Sequence, residues 1–342
     1  MKKSYNAVDI AKFICALLVI TIHTYPFRDI NPSLNFVVVQ VLARVAVPFF
    51  FVASAFFFFK KLNIKSGIDD EGNKNKLKNY ILRVLKLYLV WSIIYLLIII
   101  PGWIHGGFAL SSILRLLRDA VFTGTYYHLW FLPAMVVSTV LVYWLYFQTK
   151  IRRTMQICLA LYIIGMLVNV YGDYLMQIPL LSQVIRLYLS IFVTTRNGIF
   201  YGPIYTVIGL LLAKGAITAD KKPLFNKAML FLGLYFVETF IINKIGLSKE
   251  LTSMYLMLVP FSFYLFAYVT KIDLTDDNIY CLLRRMSTVL YVSHLFFAAI
   301  LGFLPITINS LIYYLFTVLL SIGFAYLVVV KSRNYPILKV LY

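Results

Sequence analysis

Charged residues are scarce in this chain. Asp, Glu, Lys and Arg make up only 13% of its 342 residues, about half the share of a soluble domain. That shortage excludes an ordinary water-soluble fold with a charged surface. Cysteine is scarce too, with only Cys15, Cys158 and Cys281 present. Their spacing suits neither a disulfide framework nor a zinc site, and no metal is expected. A glycine-rich phosphate loop, an H-E-x-x-H helix and a G-x-S-x-G elbow are all missing, which removes the chemistries those motifs carry. The first apolar segment follows Lys2, Lys3 and Lys12, as a signal peptide would. No small-residue cleavage site comes after it, and His23-Thr24-Tyr25-Pro26 stands there instead. It therefore reads as a retained helix.

What is abundant is apolar surface. Hydrophobic residues reach 62%, and they come in runs with few charges, such as 36–59 and 87–101. Each run is long enough, or nearly so, to cross a bilayer core of about 30 Å. The expected fold is all-α: a polytopic integral membrane protein of about ten transmembrane helices with N- and C-termini cytoplasmic. The spans are predicted near 10–27, 36–59, 80–101, 128–147, 155–171, 198–213, 226–243, 252–270, 287–304 and 308–330. A polar, lysine-rich loop (60–79) separates the second and third and reads as solvated chain. Two further stretches, near 110–122 and around Arg186, read as amphipathic helices at the interface.

The net charge of +19 does not point to nucleic acid, because the basic residues sit in the links between spans. With the N-terminus inside and sides alternating, the outer links hold Arg28, Arg115, Arg118, Arg186, Arg196, Lys244 and Lys249. Arg44 lies within a helix, and every other lysine and arginine falls on the inner side. This bias fits an even number of spans in a bacterial-type cytoplasmic membrane, with the bilayer as a partner.

Ionisable groups within a bilayer are costly and need a reason. The first helix carries Asp9, Lys12 and His23. Eleven positions separate Lys12 from His23, which returns the helix to within about 20° of one face and about 16 Å along its axis. Asp9 lies one turn below Lys12. The stripe so formed is either a functional path or a structural histidine bonded to a neighbouring helix. Arg44 sits four residues before Pro48, which removes a backbone hydrogen bond and can kink the helix. Arg44 needs an anionic or carbonyl-rich partner; Glu238, midway along the seventh span, is one choice, in a structural or a functional pair. Arg83 and Lys86 are i, i+3 neighbours at the cytoplasmic surface and suit either phosphates or lipid headgroups. His128 and Trp130 open the fourth span, where aromatic residues fit an interfacial belt. Tyr291 and His294 lie inside the ninth span, as a bundle hydrogen bond or as site members.

The order and spacing of these residues resemble the membrane acyltransferase-3 family. That family places a basic residue and a histidine, ten residues between them, on its first helix; here they are Lys12 and His23, with lysine where arginine is usual. Its arginine before an aromatic run and Ser-Gly is matched by Arg44, Phe49, Phe50 and Ser54, with Ala55 for the glycine. Its R-x-x-R appears as Arg83 and Lys86, and its late Tyr-x-x-His as Tyr291 and His294. Within the family, ARVAVPFFF (43–51), GTYYHLWFLPA (124–134) and TRNGIF (195–200) look like the membrane domain of vancomycin-resistance membrane serine racemases.

The resemblance covers essentially the whole chain and implies one transmembrane domain over 1–342. A racemase domain follows the membrane domain in those relatives. This chain stops at Tyr342, so neither a C-terminal racemase domain nor pyridoxal phosphate is expected. The implied activity is transfer of an acyl group, often acetyl, from cytoplasmic acyl-CoA to a cell-envelope glycan or small acceptor. His23 would be the general base, with Asp9 and Lys12 organising the first helix and Arg44 opposing the oxyanion. Arg83 and Lys86 would hold the donor's phosphates. The alternative is a transport or binding domain for L-serine or a similar amino acid, whose path the same groups, with His128, Trp130, Arg196, Glu238, Tyr291 and His294, would line.

Overall fold

The computed structural model describes residues 4–63, 66–106, 109–247, 252–304 and 308–342. Lys2, Lys3, Lys249 and positions 64–65 of the lysine-rich loop lie outside the described residues. Every regular element described is helical. Among the described residues, eight helices are long and apolar enough to cross a membrane, and three shorter apolar ones accompany them.

In order, the helices are α1 (Asn6–Thr24), α2 (Pro32–Phe36), α3 (Ala46–Phe59), α4 (Glu71–Gly106), α5 (Leu110–Phe122), α6 (Phe131–Gln148) and α7 (Ile151–Leu175). They continue with α8 (Pro179–Phe192), α9 (Gly202–Ala213), α10 (Lys221–Lys244), α11 (Leu258–Val269), α12 (Asn278–Gly302) and α13 (Ser310–Lys331). A π segment (Val37–Leu42) and a 3-10 turn (Ala43–Val45) join α2 to α3 without interruption. Each of the ten predicted spans has a helix in its place, and α5 and α8 fill the two amphipathic stretches.

Local chemistry sets the boundaries. Tyr25 takes the left-handed conformation that ends α1, and Pro26 follows. Asn31, Asp277 and Asn309 each cap the helix they precede by accepting a backbone N–H, from Leu34, Ile279 and Leu311. The Asp277 cap starts α12 nine residues earlier than the predicted 287, so Arg284 and Arg285 lie on the helix.

Three expectations need correcting. The lysine-rich stretch is helical from Glu71, because Asp70 Oδ2 accepts from Asn73 N (2.7 Å) at the helix start. The buried Asn73 amide then ties the preceding loop through Asn63 O (2.7 Å) and Asn63 N (3.0 Å). The irregularity expected at Pro48 lies just ahead of it, in the π and 3-10 segments, since Pro48 offers no N–H to the carbonyl of Arg44. Finally, α9 and α11 cover only the second parts of their predicted spans; residues 194–201 and 252–257 are irregular backbone.

The chain forms two compact units. The first comprises Met1–Phe50, Lys86–Ser112 and Val269–Tyr342; the second comprises Phe51–Leu85 and Ile113–Tyr268. In the first, α1 packs on α12, and α12 packs on α13. Val8, Ala16 and Ile20 of α1 are buried, as are Val289, Leu290 and Val292 of α12. Tyr95 of α4 donates its hydroxyl to Val292 O (2.9 Å), and Trp91 donates Nε1 to Leu341 O (3.2 Å). Leu89, Ile93, Leu97, Ile100 and Ile104 of α4 are exposed at helical spacing, an apolar stripe suited to lipid.

In the second unit α9 packs on α6 and α7. Gly209 permits close approach, since a Cβ there would lie 2.5 Å from Val52 O and 2.8 Å from Phe56 N. A buried tyrosine cluster joins α7 to α9, with Tyr162 OH 3.2 Å from Tyr205 OH and donating to Tyr255 O at 2.9 Å.

Candidate functional site

In the first unit α1 and α12 carry two polar pairs. At one end Asp9 meets Arg284: Nε lies 2.9 and 3.0 Å from the two carboxylate oxygens, and Nη2 lies 2.6 Å from Oδ2. At the other, the rings of His23 and His294 stack with centroids 5.4 Å apart and planes 26° apart. The pairs advance in the same sense along both helices, so α1 and α12 run parallel. Their separation is about 21 Å along α1 and about 15 Å along α12 by helical rise, and the reach of the arginine side chain makes up the difference.

His294 is fully buried. Its Nδ1 lies 2.8 Å from Tyr291 O and 3.2 Å from Leu290 O. Carbonyls only accept, so Nδ1 carries a proton. Tyr291 lies next to it, with ring centroids 6.3 Å apart, and meets Phe50 edge-on at 5.8 Å.

Arg44 is buried on the 3-10 turn, and that turn packs on α1. Its Nε donates to Gln40 Oε1 at 2.9 Å, a bond between residues four apart. Gln40 belongs to the π segment, where such departures from α geometry often mark function. The partner expected for Arg44 is committed to backbone in the second unit. Glu238 Oε1 accepts from Leu256 N (2.7 Å) and Oε2 from Met257 N (2.8 Å). These amides precede α11, where no helical carbonyl serves them, and an anion is favoured at a helix N-terminus.

The second unit holds the remaining candidates. Arg196 lies over the Trp130 ring at 4.9 Å, a cation–π contact. Asn197 Oδ1 accepts from Ile199 N and Phe200 N, and Thr195 Oγ1 donates to Gly165 O, so Arg196 projects from a firmly bonded turn. Gly124 has φ +89°, and a Cβ there would lie 2.5 Å from Trp130 N, so this turn requires glycine. His128 is buried beside the rings of Tyr126 and Tyr127. Arg83 is exposed, over the Tyr80 ring at 5.9 Å. Lys86, one turn on, is exposed and belongs to the first unit.

The structure thus joins His23 to His294 and Trp130 to Arg196. Lys12 is half-buried one turn from Asp9. Sequence reasoning misses the Asp9–Arg284 pair, because Arg284 reads with the basic flank of its span. A carboxylate inside an apolar first helix is the available signal, since it demands a cation from another span. Among the described residues no group of three or more His, Cys, Asp or Glu is placed to hold a metal ion.

The family profile described as "Acyltransferase domain" matches residues 5–330. An amino-acid racemase of Enterococcus faecalis is 32% identical over 266 residues, covering 77% of this chain and 35% of that protein. A second amino-acid racemase of the same species is 27% identical over 348 residues, covering 99% and 48%. A serine/alanine racemase of Enterococcus gallinarum is 27% identical over 331 residues, covering 93% and 45%. The chain spans about a third to a half of the length of these relatives. No solved structure matches it.

Proposed function

This chain belongs to the acyltransferase-3 family, and from that premise we propose that it is a membrane-bound acyltransferase. In this reading an acyl group, acetyl in the simplest case, passes from cytoplasmic acyl-CoA to a hydroxyl or amine of an envelope glycan or small acceptor across a cell membrane. Both described chain ends lie at one end of the first unit: Ser4 Oγ donates to Asp276 Oδ1 (2.7 Å), and Tyr342 lies beside Arg285 and Ser332. The charge bias of the links supports a cytoplasmic position for that end.

The stacked His23–His294 pair carries the reading. His294 has its Nδ1 proton held by backbone carbonyls, and its ring backs the His23 ring, fixing the plane in which His23 works. His23 takes the proton as the acceptor oxygen or nitrogen attacks the thioester carbonyl carbon. Arg44 opposes the charge that develops on the carbonyl oxygen. The C–S bond then breaks, and the departing thiolate takes up a proton to leave as free coenzyme A. Arg83 and Lys86 hold donor phosphates at the cytoplasmic end of α4.

A second reading is passage or binding of a small amino acid such as L-serine. Its support is the likeness to amino-acid racemases, which extends over 99% of this chain. Proteoliposomes given labelled acetyl-CoA and labelled L-serine side by side separate the two. Acyl transfer or thioester hydrolysis that disappears in a folded His23→Ala protein is expected. Saturable serine uptake with no thioester turnover would overturn the enzyme in favour of the path.

A further inference from the structure

Asp9 and Arg284 form an unequal pair. The carboxylate side chain is 1% exposed, whereas the guanidinium side chain is 54% exposed. Asp9 holds only the Nε–Nη2 edge. A guanidinium has five N–H donors, and the two on Nη1 have no partner among the described residues. Burying an aspartate is costly unless it is paired and hydrogen-bonded. The same pair fixes the direction of an arginine that faces outward. A basic residue serving topology alone needs no such aim.

Further cations lie at this end, alongside the carboxylates Asp276 and Asp277, which are committed to Ser4, Asn6 and the α12 cap. Arg285 follows on α12, exposed, 5.9 Å from the Tyr342 ring. Trp91 and Arg285 meet Leu341 and Tyr342, and Tyr95 meets Val292. So α4 and α12 advance together, and Lys86 lies toward the same end. Lys331 closes α13 there, beside Ser332, which bonds Tyr342.

We infer that Arg284 is an anion-binding residue at this end of the first unit, that Asp9 is its positioning residue, and that the anion is a phosphate of the acyl donor. The inference rests on the acyl-CoA reading. Arg284 stands at one end of the two helices whose other end carries the imidazole pair, about 15–21 Å away by helical rise. A donor with phosphates at one end and a thioester at the end of an extended arm fits that separation. Lipid headgroup phosphate has the same chemistry, so the test must tell the two apart.

The test uses the full chain in lipid nanodiscs. Equilibrium binding of labelled coenzyme A is measured beside thioester hydrolysis of acetyl-CoA and of acetyl-pantetheine, which lacks phosphate. Arg284→Gln should weaken coenzyme A binding by about tenfold to a hundredfold, as expected for a lost charged hydrogen bond. KM for acetyl-CoA should rise alongside, with KM for acetyl-pantetheine unmoved. Arg284→Lys should fall between, since lysine keeps the charge without the fork. Because Arg284→Gln strands a buried carboxylate, Asp9→Asn/Arg284→Gln is the companion variant, and it should show the same loss.

Wild-type affinity for coenzyme A in the folded double variant overturns the inference. So does an equal loss with both thioesters, which marks a merely structural pair. Coenzyme A binding unaffected by the variants, with folding that instead follows anionic lipid content, assigns the arginine to headgroups. If no thioester turns over but coenzyme A binding still depends on Arg284, the enzymatic reading fails while the phosphate site stands.

Discussion

Glu238 is an intramembrane carboxylate, and its bonds predict what its loss will do. Its two oxygens accept from Leu256 N and Met257 N, in irregular backbone leading into α11. Within a bilayer no water is at hand to replace them. Each bond to a charged acceptor contributes roughly 1.5–3 kcal/mol, and stranding a donor costs about 1–3 kcal/mol. Glu238→Ala removes both acceptors and should destabilise the second unit by about 2–5 kcal/mol. Glu238→Gln keeps one carbonyl acceptor and should lose about half of that. At about 2–4 °C per kcal/mol for a unit of this size, Glu238→Gln should melt roughly 2–10 °C lower, and Glu238→Ala about twice as far. Cys158 is buried on α7 of the same unit, so a thiol-reactive fluorophore reports its unfolding once Cys15 and Cys281 are changed to serine. If Glu238→Ala melts with the parent, the structural account is wrong. If Glu238→Gln is fully stable yet inactive, Glu238 serves the chemistry instead.

Two further outcomes are expected. A methyl added at Gly233 of α10 would meet nothing within 4 Å, whereas at Gly209 of α9 it would meet backbone at 2.5 and 2.8 Å. Gly233→Ala should therefore stabilise by up to about 1 kcal/mol, while Gly209→Ala should lose about 1–2 kcal/mol net of that gain; equal melting temperatures in the thiol assay would refute the close packing. The Ser4 hydroxyl and Asn6 amide hold the Asp276 carboxyl below its ordinary range. A depressed carboxyl contributes stability above its unfolded pKa near 3.9 and loses it as pH falls through the folded value. Asp276→Asn should flatten this part of the acid limb below about pH 4, as read by tryptophan fluorescence, and an unchanged limb would remove Asp276 from the account.

The helices are legible because lipid imposes a coarse rule: an apolar run of sufficient length must be a helix. That rule places all ten predicted spans. It fails inside two of them, since residues 198–201 and 252–257 fall within predicted spans but are not helical. Their backbone is served by Asn197, Thr195 and Glu238, partners that hydropathy does not register. His23 and His294 stand out because histidine is rare in such runs, but their stacking depends on how α1 and α12 are staggered. Arg284 is hidden by its position. Among basic flanking residues it differs only in what it meets, and a buried Asp9 lies 275 residues away.

The staggering also bears on the number of crossings. Because α1 and α12 run parallel, an even number of crossings must separate the start of one from the start of the other. The count stays even only if α9 and α11 both cross or both fail to cross. Each has 12 residues and rises about 18 Å, short of a core near 30 Å. Each is also preceded by irregular backbone whose amides are met from within the protein. Ile199 N and Phe200 N reach Asn197, Ser253 N reaches Asn169, and Leu256 N and Met257 N reach Glu238. Irregular chain at membrane depth is tolerated on that condition. The two short helices thus meet the condition for a broken crossing, and the parallel run of α1 and α12 requires that they behave alike. Only with that parallel run do His23 and His294 meet at one end of the pair while Asp9 and Arg284 meet at the other.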